Sequence, residues 1–162
     1  MAIATEPEIG DPAPDFTLLD QTGATVSLAD FAGRKLLLYF YPKADTPGCT
    51  TQARAVHDAK HDLEALDAQV VGISPDPIDD QRTFDEKYAL GFPLLSDRDH
   101  AVAEAYGAWG IKKLYGREYE GVIRSSFLVD EQGRIAGAWP KVTPKETVPK
   151  ALDRLRELTT GD

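Results

Sequence analysis

The chain has 162 residues, which suits one domain because domains cluster at roughly 100–150 residues. Its composition, 42% hydrophobic and 28% charged, excludes a disordered or collagen-like protein. Acidic residues outnumber basic ones by 27 to 18, and the net charge of −9 argues against nucleic-acid and anionic-membrane partners. We expect a single domain over residues 1–162, with residues 1–14, which include three prolines, as an extended lead-in.

The ends of the chain and its apolar runs give no sign of export or of a membrane anchor. The first ten residues have neither the basic region nor the apolar region of a signal peptide. The longest apolar run covers residues 36–41, whereas a membrane span needs about 20 residues. We therefore expect a cytoplasmic protein without membrane contact.

Apolar runs and turn residues predict the strands. Residues 35–41 and 69–74 are apolar without alternation, which is typical of strands buried on both faces. Residues 107–121 carry several glycines and aromatic residues, so we predict a loop there. The other predicted strands are two hairpins, at 16–20 with 25–28 and at 122–129 with 134–139, and a short strand at 92–95.

Apolar residues at helical spacing predict helices in the segments between these strands. A first helix runs from the turn after residue 46 to about residue 67, and a second covers about 78–88, with Asp76 as its cap and Pro77 at its first position. A short helix is predicted at 99–106, and a last helix from near Thr147 to about 158. Because helices alternate with buried strands and the later strands form a hairpin, the sequence predicts an α/β sandwich with a mixed sheet.

Cys49 is the only cysteine, so an intramolecular disulfide and a zinc site built from several cysteines are both excluded. It lies where a buried strand ends and a helix begins, the place where sites collect in α/β sheets. With Thr46 as N-cap and Pro47 first, Cys49 is the third helical residue, and the helix dipole and free N–H groups favour its thiolate. Free cysteines are often core residues, so position alone leaves both interpretations open.

Arg124 is a single cation between Ile123 and Ser125 on a predicted apolar strand. One interpretation is a solvent-facing arginine on an edge strand. The other is a guanidinium that favours a nearby thiolate and binds a substrate oxygen.

The motif around Cys49 resembles a known family. Pro42-x-x-x-Thr46-x-x-Cys49 matches the Pro-x-x-x-Thr-x-x-Cys signature of the peroxiredoxins, and residues 39–50 look like the bacterioferritin-comigratory (Q-type) subfamily. The similarity continues in order through most of the chain, at residues 10–16, 71–74, 94–97, 106–109 and 124–130. The resemblance implies a thioredoxin-like fold, with a mixed central sheet flanked by helices and an N-terminal β-hairpin. It also implies thiol-dependent reduction of hydroperoxides, with no cofactor.

The same resemblance assigns roles to residues. It makes Cys49 the peroxidatic cysteine and Arg124 the active-site arginine. The chemistry of the other motif residues suits this reaction: the Thr46 hydroxyl can donate to the leaving oxygen and can also accept from the peroxide, which orients it, and Pro42 has no N–H and has a rigid ring suited to shielding the sulfur. Gln52, one helical turn after Cys49, is placed to hold Arg124 through its amide oxygen. The family often has a glutamate there, so a neutral partner leaves the charge of the arginine less compensated.

One position departs from the pattern. Many Q-type members have a resolving cysteine five residues after the first, and this chain has Arg54 there. We therefore expect a one-cysteine enzyme whose sulfenic acid is resolved by an external thiol, from thioredoxin, a glutaredoxin or a low-molecular-weight thiol. We expect a monomer or a weak homodimer.

Other residues suggest weaker alternatives. His57 and His61 are four residues apart, but Asp58 and Asp62 alternate with them, so we interpret this as a solvated helix face and expect no metal site. A disulfide reductase would normally need Cys-x-x-Cys, which this chain lacks. The remaining rival is a redox sensor or binding protein on the same fold, which would oxidise once without turning over.

Overall fold

The computed structural model describes residues 7–160, which form nine strands and five α-helices. The strands are β1 (Thr17–Leu19), β2 (Thr25–Ser27), β3 (Lys35–Phe40), β4 (Ala68–Ser74), β5 (Leu94–Ser96), β6 (Trp109–Leu114), β7 (Arg117–Val122), β8 (Ser125–Val129) and β9 (Ile135–Trp139). The helices are α1 (Pro47–Asp58), α2 (Lys60–Ala65), α3 (Ile78–Tyr88), α4 (Ala101–Ala105) and α5 (Thr147–Thr160), with a short 3-10 helix at Leu28–Phe31.

Seven strands form one mixed sheet in the order β2-β1-β5-β4-β3-β8-β9. Strand β3 pairs parallel with β4 and antiparallel with β8, and β4 pairs parallel with β5. The first hairpin, β1–β2, lies at one edge, and the β8–β9 hairpin lies at the other. This arrangement confirms the predicted mixed sheet and N-terminal hairpin.

The continuous apolar run of β3 separates two hydrophobic clusters. Leu37, Tyr39 and Tyr41 face the cluster that includes side chains of α1, α2, α3 and α5. Leu36, Leu38 and Phe40 face the other cluster, which includes side chains of α4 and is lined by the 3-10 helix. Both faces of this strand are therefore buried, which explains why its sequence does not alternate between apolar and polar residues.

The predicted loop at 107–121 is wrong, because this segment forms the two-stranded β6–β7 hairpin. Tyr115 and Gly116 make its turn, with φ angles of 52° and 77°, and two successive positive φ angles suit a tight hairpin turn. Gly110 and Gly121 lie inside the strands and pair with each other. Two of the glycines that suggested a loop are therefore paired residues of the hairpin, and Gly116 lies in its turn.

Two helix predictions need correction, and the predicted start of the last helix is confirmed. The helix expected to reach residue 67 ends at Asp58, and α2 begins at Lys60 after a break at Ala59. Pro77 is the N-cap of α3 rather than its first residue, and Asp76 lies before it. Helix α5 begins at Thr147, as the position of Pro149 predicted.

The position of Arg124 also differs from the prediction. It lies in the two-residue connection between β7 and β8, not within a strand. Of the expected lead-in, residues 1–6 fall outside the described residues, and Pro12 forms an isolated antiparallel bridge with Arg134. None of the helices within residues 7–160 is both long and apolar enough to cross a bilayer.

Candidate active site

The first turn of α1 places Cys49 beyond the end of the central strand β3. Thr46 is the N-cap, with an extended backbone (φ −97°, ψ 159°), Pro47 is the first helical residue and Cys49 the third, as predicted. The side chain of Cys49 is buried, and the residue is 1% exposed. The N–H groups of the first turn have no acceptor within the helix, so this end of α1 favours negative charge on the sulfur.

The segment between β3 and α1 holds the two other motif residues. The Thr46 hydroxyl donates a hydrogen bond to the backbone oxygen of Lys43 over 2.8 Å rather than capping the helix with its side chain. The hydroxyl hydrogen is thereby engaged, and the lone pairs of the oxygen can accept a hydrogen bond from a ligand. Pro42 is half-buried in this segment, immediately after Tyr41.

Arg124 is 75 residues after Cys49 in the sequence, but the fold brings its side chain into contact with the sulfur. Its Nη2 donates to the Cys49 sulfur over 3.4 Å, and its Nη1 donates to Oε1 of Gln52 over 2.6 Å. The structure therefore brings Cys49, Arg124 and Gln52 together. A guanidinium in contact with sulfur stabilises the thiolate, the form of cysteine that acts as a nucleophile.

Sequence reasoning missed a residue that continues this chain of contacts. Nε2 of Gln52 donates to the hydroxyl of Thr147 over 2.8 Å, and that hydroxyl donates to the carbonyl of Thr143 over 3.2 Å. Gln52 and Thr147 are both fully buried. The sequence marks Thr147 only as the start of a helix, and no local pattern connects it to residue 52.

Two further side chains lie in the electrostatic field of Cys49 and Arg124. Burial raises the pKa of Tyr39 well above its usual value, Tyr41 and Cys49 raise it further, and Arg124 opposes them. Burial lowers the pKa of Lys112, with a smaller contribution from Arg124 in the same direction. The ammonium group of Lys112 donates to the carbonyl of Val122 over 3.0 Å, two residues before Arg124. Both phenol and amine therefore belong to the surroundings of the site.

Other polar residues near the motif have partners of their own. The carboxylate of Asp45 binds Lys87 over 2.9 Å and the Tyr88 hydroxyl over 2.8 Å, and Lys87 is the main cause of its lowered pKa. His57 and His61 lie on different helices, and Nδ1 of His57 is 2.9 Å from the carbonyl of Leu90.

Comparison with known proteins identifies the family of the chain. The model of the AhpC/TSA family matches residues 9–138. The chain is 45% identical over 152 residues to peroxiredoxin Bcp of Bacillus subtilis, covering 94% of this chain and 97% of that protein. It is 49% identical over 126 residues to peroxiredoxin Bcp of Escherichia coli strain K12, covering 78% and 81% respectively.

Solved structures give the same result. The bacterioferritin comigratory protein of Xanthomonas campestris, described in work on its alkyl peroxide reduction activity, superposes with a TM-score of 0.87 at 30% identity. That match covers 94% of this chain and all of the other. Peroxidoxin BcpB of Mycobacterium tuberculosis superposes with a TM-score of 0.83 at 33% identity, covering 93% and 97%. The chain belongs to the AhpC/TSA family, and it is a thiol-dependent peroxidase of the Q-type, or bacterioferritin-comigratory, peroxiredoxins.

Proposed function

We propose that Cys49 is the peroxidatic nucleophile of this peroxidase and that Arg124 binds the oxygens of the peroxide. The observation that carries the proposal is the 3.4 Å contact between Nη2 of Arg124 and the Cys49 sulfur at the start of α1. A thiolate held by a guanidinium and a helix N-terminus has both the charge and the setting of a reactive cysteine. A buried cysteine that served only as core packing would need no charged partner.

The reaction balances with the residues present. The Cys49 thiolate supplies two electrons to the terminal oxygen of the hydroperoxide, forming an S–O bond as the O–O bond breaks. The attacked oxygen keeps its proton and becomes the sulfenic acid. The other oxygen leaves as alkoxide, or as hydroxide from hydrogen peroxide, and takes a proton to give alcohol or water. Negative charge grows on that departing oxygen, so donors fixed in advance lower the barrier.

The remaining site residues bind and orient the peroxide. Arg124 and the N–H of Cys49 supply donors to the peroxide oxygens. Because the Thr46 hydroxyl donates its hydrogen bond to the carbonyl of Lys43, its oxygen is free to accept a hydrogen bond from the hydroperoxide and so orients the attacked oxygen toward sulfur. Pro42 adds a rigid ring without an N–H group, suited to shielding the sulfur. Gln52 holds Arg124 through a 2.6 Å hydrogen bond.

Regeneration comes from an external thiol, since no second cysteine exists in the chain. The thiol attacks the sulfenic acid, releasing water and leaving a mixed disulfide on Cys49, and a second thiol then frees Cys49 as a new disulfide departs. Cys49 is 1% exposed, so a bulky thiol reaches it only after the groups that cover the sulfur move aside. Thioredoxin, a glutaredoxin and low-molecular-weight thiols are the candidate reductants.

We also propose a cellular compartment and an oligomeric state for the enzyme. A single free thiol suits a reducing compartment, and we place the enzyme in the cytoplasm. We propose a monomer or a weak homodimer, which sedimentation over a range of protein concentrations would test.

The experiment that tests the proposal compares wild type with Cys49→Ser in peroxide consumption with thioredoxin, glutaredoxin and dithiothreitol systems. Wild type should turn over many times, and the variant should lose consumption while keeping its circular dichroism spectrum. Turnover by the variant at the wild-type rate would refute the role of Cys49. A single equivalent consumed by wild type with every reductant would favour the redox sensor instead.

A further inference from the structure

Two fully buried polar side chains connect Arg124 to α5, the last helix of the chain. Gln52 is on α1 and Thr147 is the first residue of α5, and both are 0% exposed. Hydrogen bonds run from Arg124 to Gln52 (2.6 Å), from Gln52 to Thr147 (2.8 Å) and from Thr147 to the carbonyl of Thr143 (3.2 Å). Buried polar groups cost free energy unless each is paired, so this row is built as a unit.

The chemistry of each group fixes the direction of the row. A guanidinium only donates, so the amide oxygen of Gln52 must face Arg124. The amide nitrogen then faces Thr147 and can only donate to it. The Thr147 hydroxyl accepts that hydrogen bond and donates its own to the Thr143 carbonyl, which can only accept. No member can be reversed without leaving a buried donor facing a donor.

We propose, on the basis of the function given above, that Thr147 is a positioning residue for peroxide reduction. Its hydroxyl holds the Gln52 amide in the one orientation that presents oxygen to Arg124, and thereby keeps Nη2 of Arg124 on the Cys49 sulfur. A carboxylate at position 52 would present oxygen to the arginine in either orientation. An amide has two flipped orientations, and one of them turns its N–H groups, instead of its oxygen, toward the cation. The neutral residue at 52 therefore creates the need for Thr147.

The row also ties the start of α5 to the catalytic sulfur. Thr143 accepts from both the N–H of Glu146 and the Thr147 hydroxyl, and its own N–H donates to the Glu146 carboxylate. These hydrogen bonds fix the turn that leads into α5. A disturbance of this turn reaches Arg124 through two side chains.

The test uses Thr147→Val, which keeps the shape of threonine and removes the hydroxyl, and Thr147→Ser, which restores it. Thr147→Val should slow the reaction of Cys49 with peroxide roughly tenfold, the effect of about 1.4 kcal/mol on a barrier. Alkylation of Cys49 by iodoacetamide should slow much less, because it builds no negative charge on a departing oxygen that Arg124 would have to bind. Thr147→Ser should recover most of the peroxide rate and the wild-type ratio of the two rates.

Thr159 supplies a matched control. Its hydroxyl makes the same bond to the carbonyl four residues earlier, 2.8 Å to Leu155, at the other end of α5 and exposed. Thr159→Val therefore removes a hydroxyl hydrogen bond of the same spacing and should leave both the peroxide rate and the alkylation rate unchanged. A loss of rate in Thr159→Val equal to that in Thr147→Val would mean that damage to α5, not orientation of Gln52, causes the effect, and would overturn the proposal.

A second background separates positioning from packing. Gln52→Met removes the amide oxygen and the amide nitrogen at similar volume. Adding Thr147→Val to the Gln52→Met variant should therefore change the peroxide rate little further. Equal effects of Thr147→Val in the two backgrounds would overturn the proposal. Should Thr147→Val not fold, Thr147→Ala carries the same comparison. If wild type itself consumes no peroxide through Cys49, the proposed function fails. If wild type does and Thr147→Val matches it, only this inference fails.

Discussion

Gly48 and Arg124 approach so closely that a side chain on Gly48 would contact the guanidinium. A Cβ at Gly48 would lie 3.2 Å from Nη2 of Arg124 and 3.5 Å from Cγ of Pro144. The first separation is tighter than ordinary van der Waals contact, so the guanidinium would have to shift by a few tenths of an ångström. The glycine before Cys49 therefore leaves room for the arginine at the sulfur.

Gly48→Ala should separate stability from activity. Alanine is favoured over glycine in a helix by about 1 kcal/mol, so the variant should unfold at an equal or higher temperature. Its reaction with peroxide should nevertheless slow severalfold, because Arg124 is displaced from the sulfur. Stopped-flow peroxide kinetics and thermal unfolding measure the two effects, with Thr51→Ala on the exposed side of the same turn as control. A wild-type rate in Gly48→Ala would show that the position of Arg124 tolerates this shift.

Arg124→Met should slow peroxide reduction far more than alkylation by iodoacetamide. Both reactions need the thiolate, but only peroxide reduction builds negative charge on a departing oxygen. Loss of one such donor typically costs roughly 10²–10³ in rate. The measurement is the ratio of the two second-order rate constants in wild type and variant. Equal reductions in both rates would mean that Arg124 acts only by favouring the thiolate.

Thr46→Val should impair peroxide reduction, and Thr46→Ser should largely preserve it. The hydroxyl oxygen is proposed to accept a hydrogen bond from the peroxide O–H, and serine keeps both that oxygen and the hydrogen bond to the carbonyl of Lys43. Valine loses both, so unfolding temperatures must be measured alongside the peroxide rates. If Thr46→Ser is as slow as Thr46→Val while both remain folded, the hydroxyl has no part in orienting the substrate.

Arg54→Cys should introduce a resolving thiol. In an intact α1, residues 49 and 54 are about 7.5 Å apart along the helix axis, beyond the span of an unstrained disulfide. Formation of the bond therefore requires α1 to unwind locally. After peroxide treatment the variant should lose two hydrogens by intact mass and resist conversion to sulfinic acid. Sulfinic acid formed as readily as in wild type would show that α1 stays closed.

Asp97 should make the stability of the fold depend on pH in a defined direction. Its buried carboxylate accepts hydrogen bonds from the N–H groups of Val102 and Ala103, and burial raises its pKa above the ordinary 3.8. The folded state therefore holds the proton more tightly than the unfolded chain. The stabilising contribution of Asp97 is complete below pH 3.8 and is lost as the pH rises through the folded-state pKa.

Urea unfolding of wild type and Asp97→Asn from pH 7 down to about pH 4 tests this direction. The free energy of unfolding of wild type should improve relative to that of the variant as the pH falls. The opposite trend would mean that the two backbone hydrogen bonds outweigh burial and that the carboxylate is favoured in the folded state.

The sequence predicted those parts of the molecule in which local pattern and burial agree. The apolar run of β3 and the Thr46-Pro47 start of α1 are local features, and the structure has both. The β6–β7 hairpin was missed because its glycines lie within paired strands as well as in the turn, so composition suggested a loop. Arg124 was placed within a strand because the residues around it are apolar, whereas it lies in the connection before β8.

The contacts that complete the site depend on distant parts of the chain. Arg124 and Cys49 are 75 residues apart, and Gln52 and Thr147 are 95 apart. Resemblance to a family indicated the first pair, because a motif marks each residue. Nothing in the sequence indicated the second pair, since a buried threonine at a helix start looks like any other. The long-range pairing of α1 with α5 became visible only in the fold.

Intact-mass spectrometry after one equivalent of peroxide tests the central claim most directly. Wild type should gain one oxygen atom as Cys49 sulfenic acid, with no internal disulfide, and a small thiol should then convert it to a mixed disulfide and finally to free Cys49. Excess peroxide without thiol should add a second oxygen and inactivate the enzyme. A product that is mainly a Cys49–Cys49 dimer would contradict the account, because the subunits would then resolve each other without an external thiol.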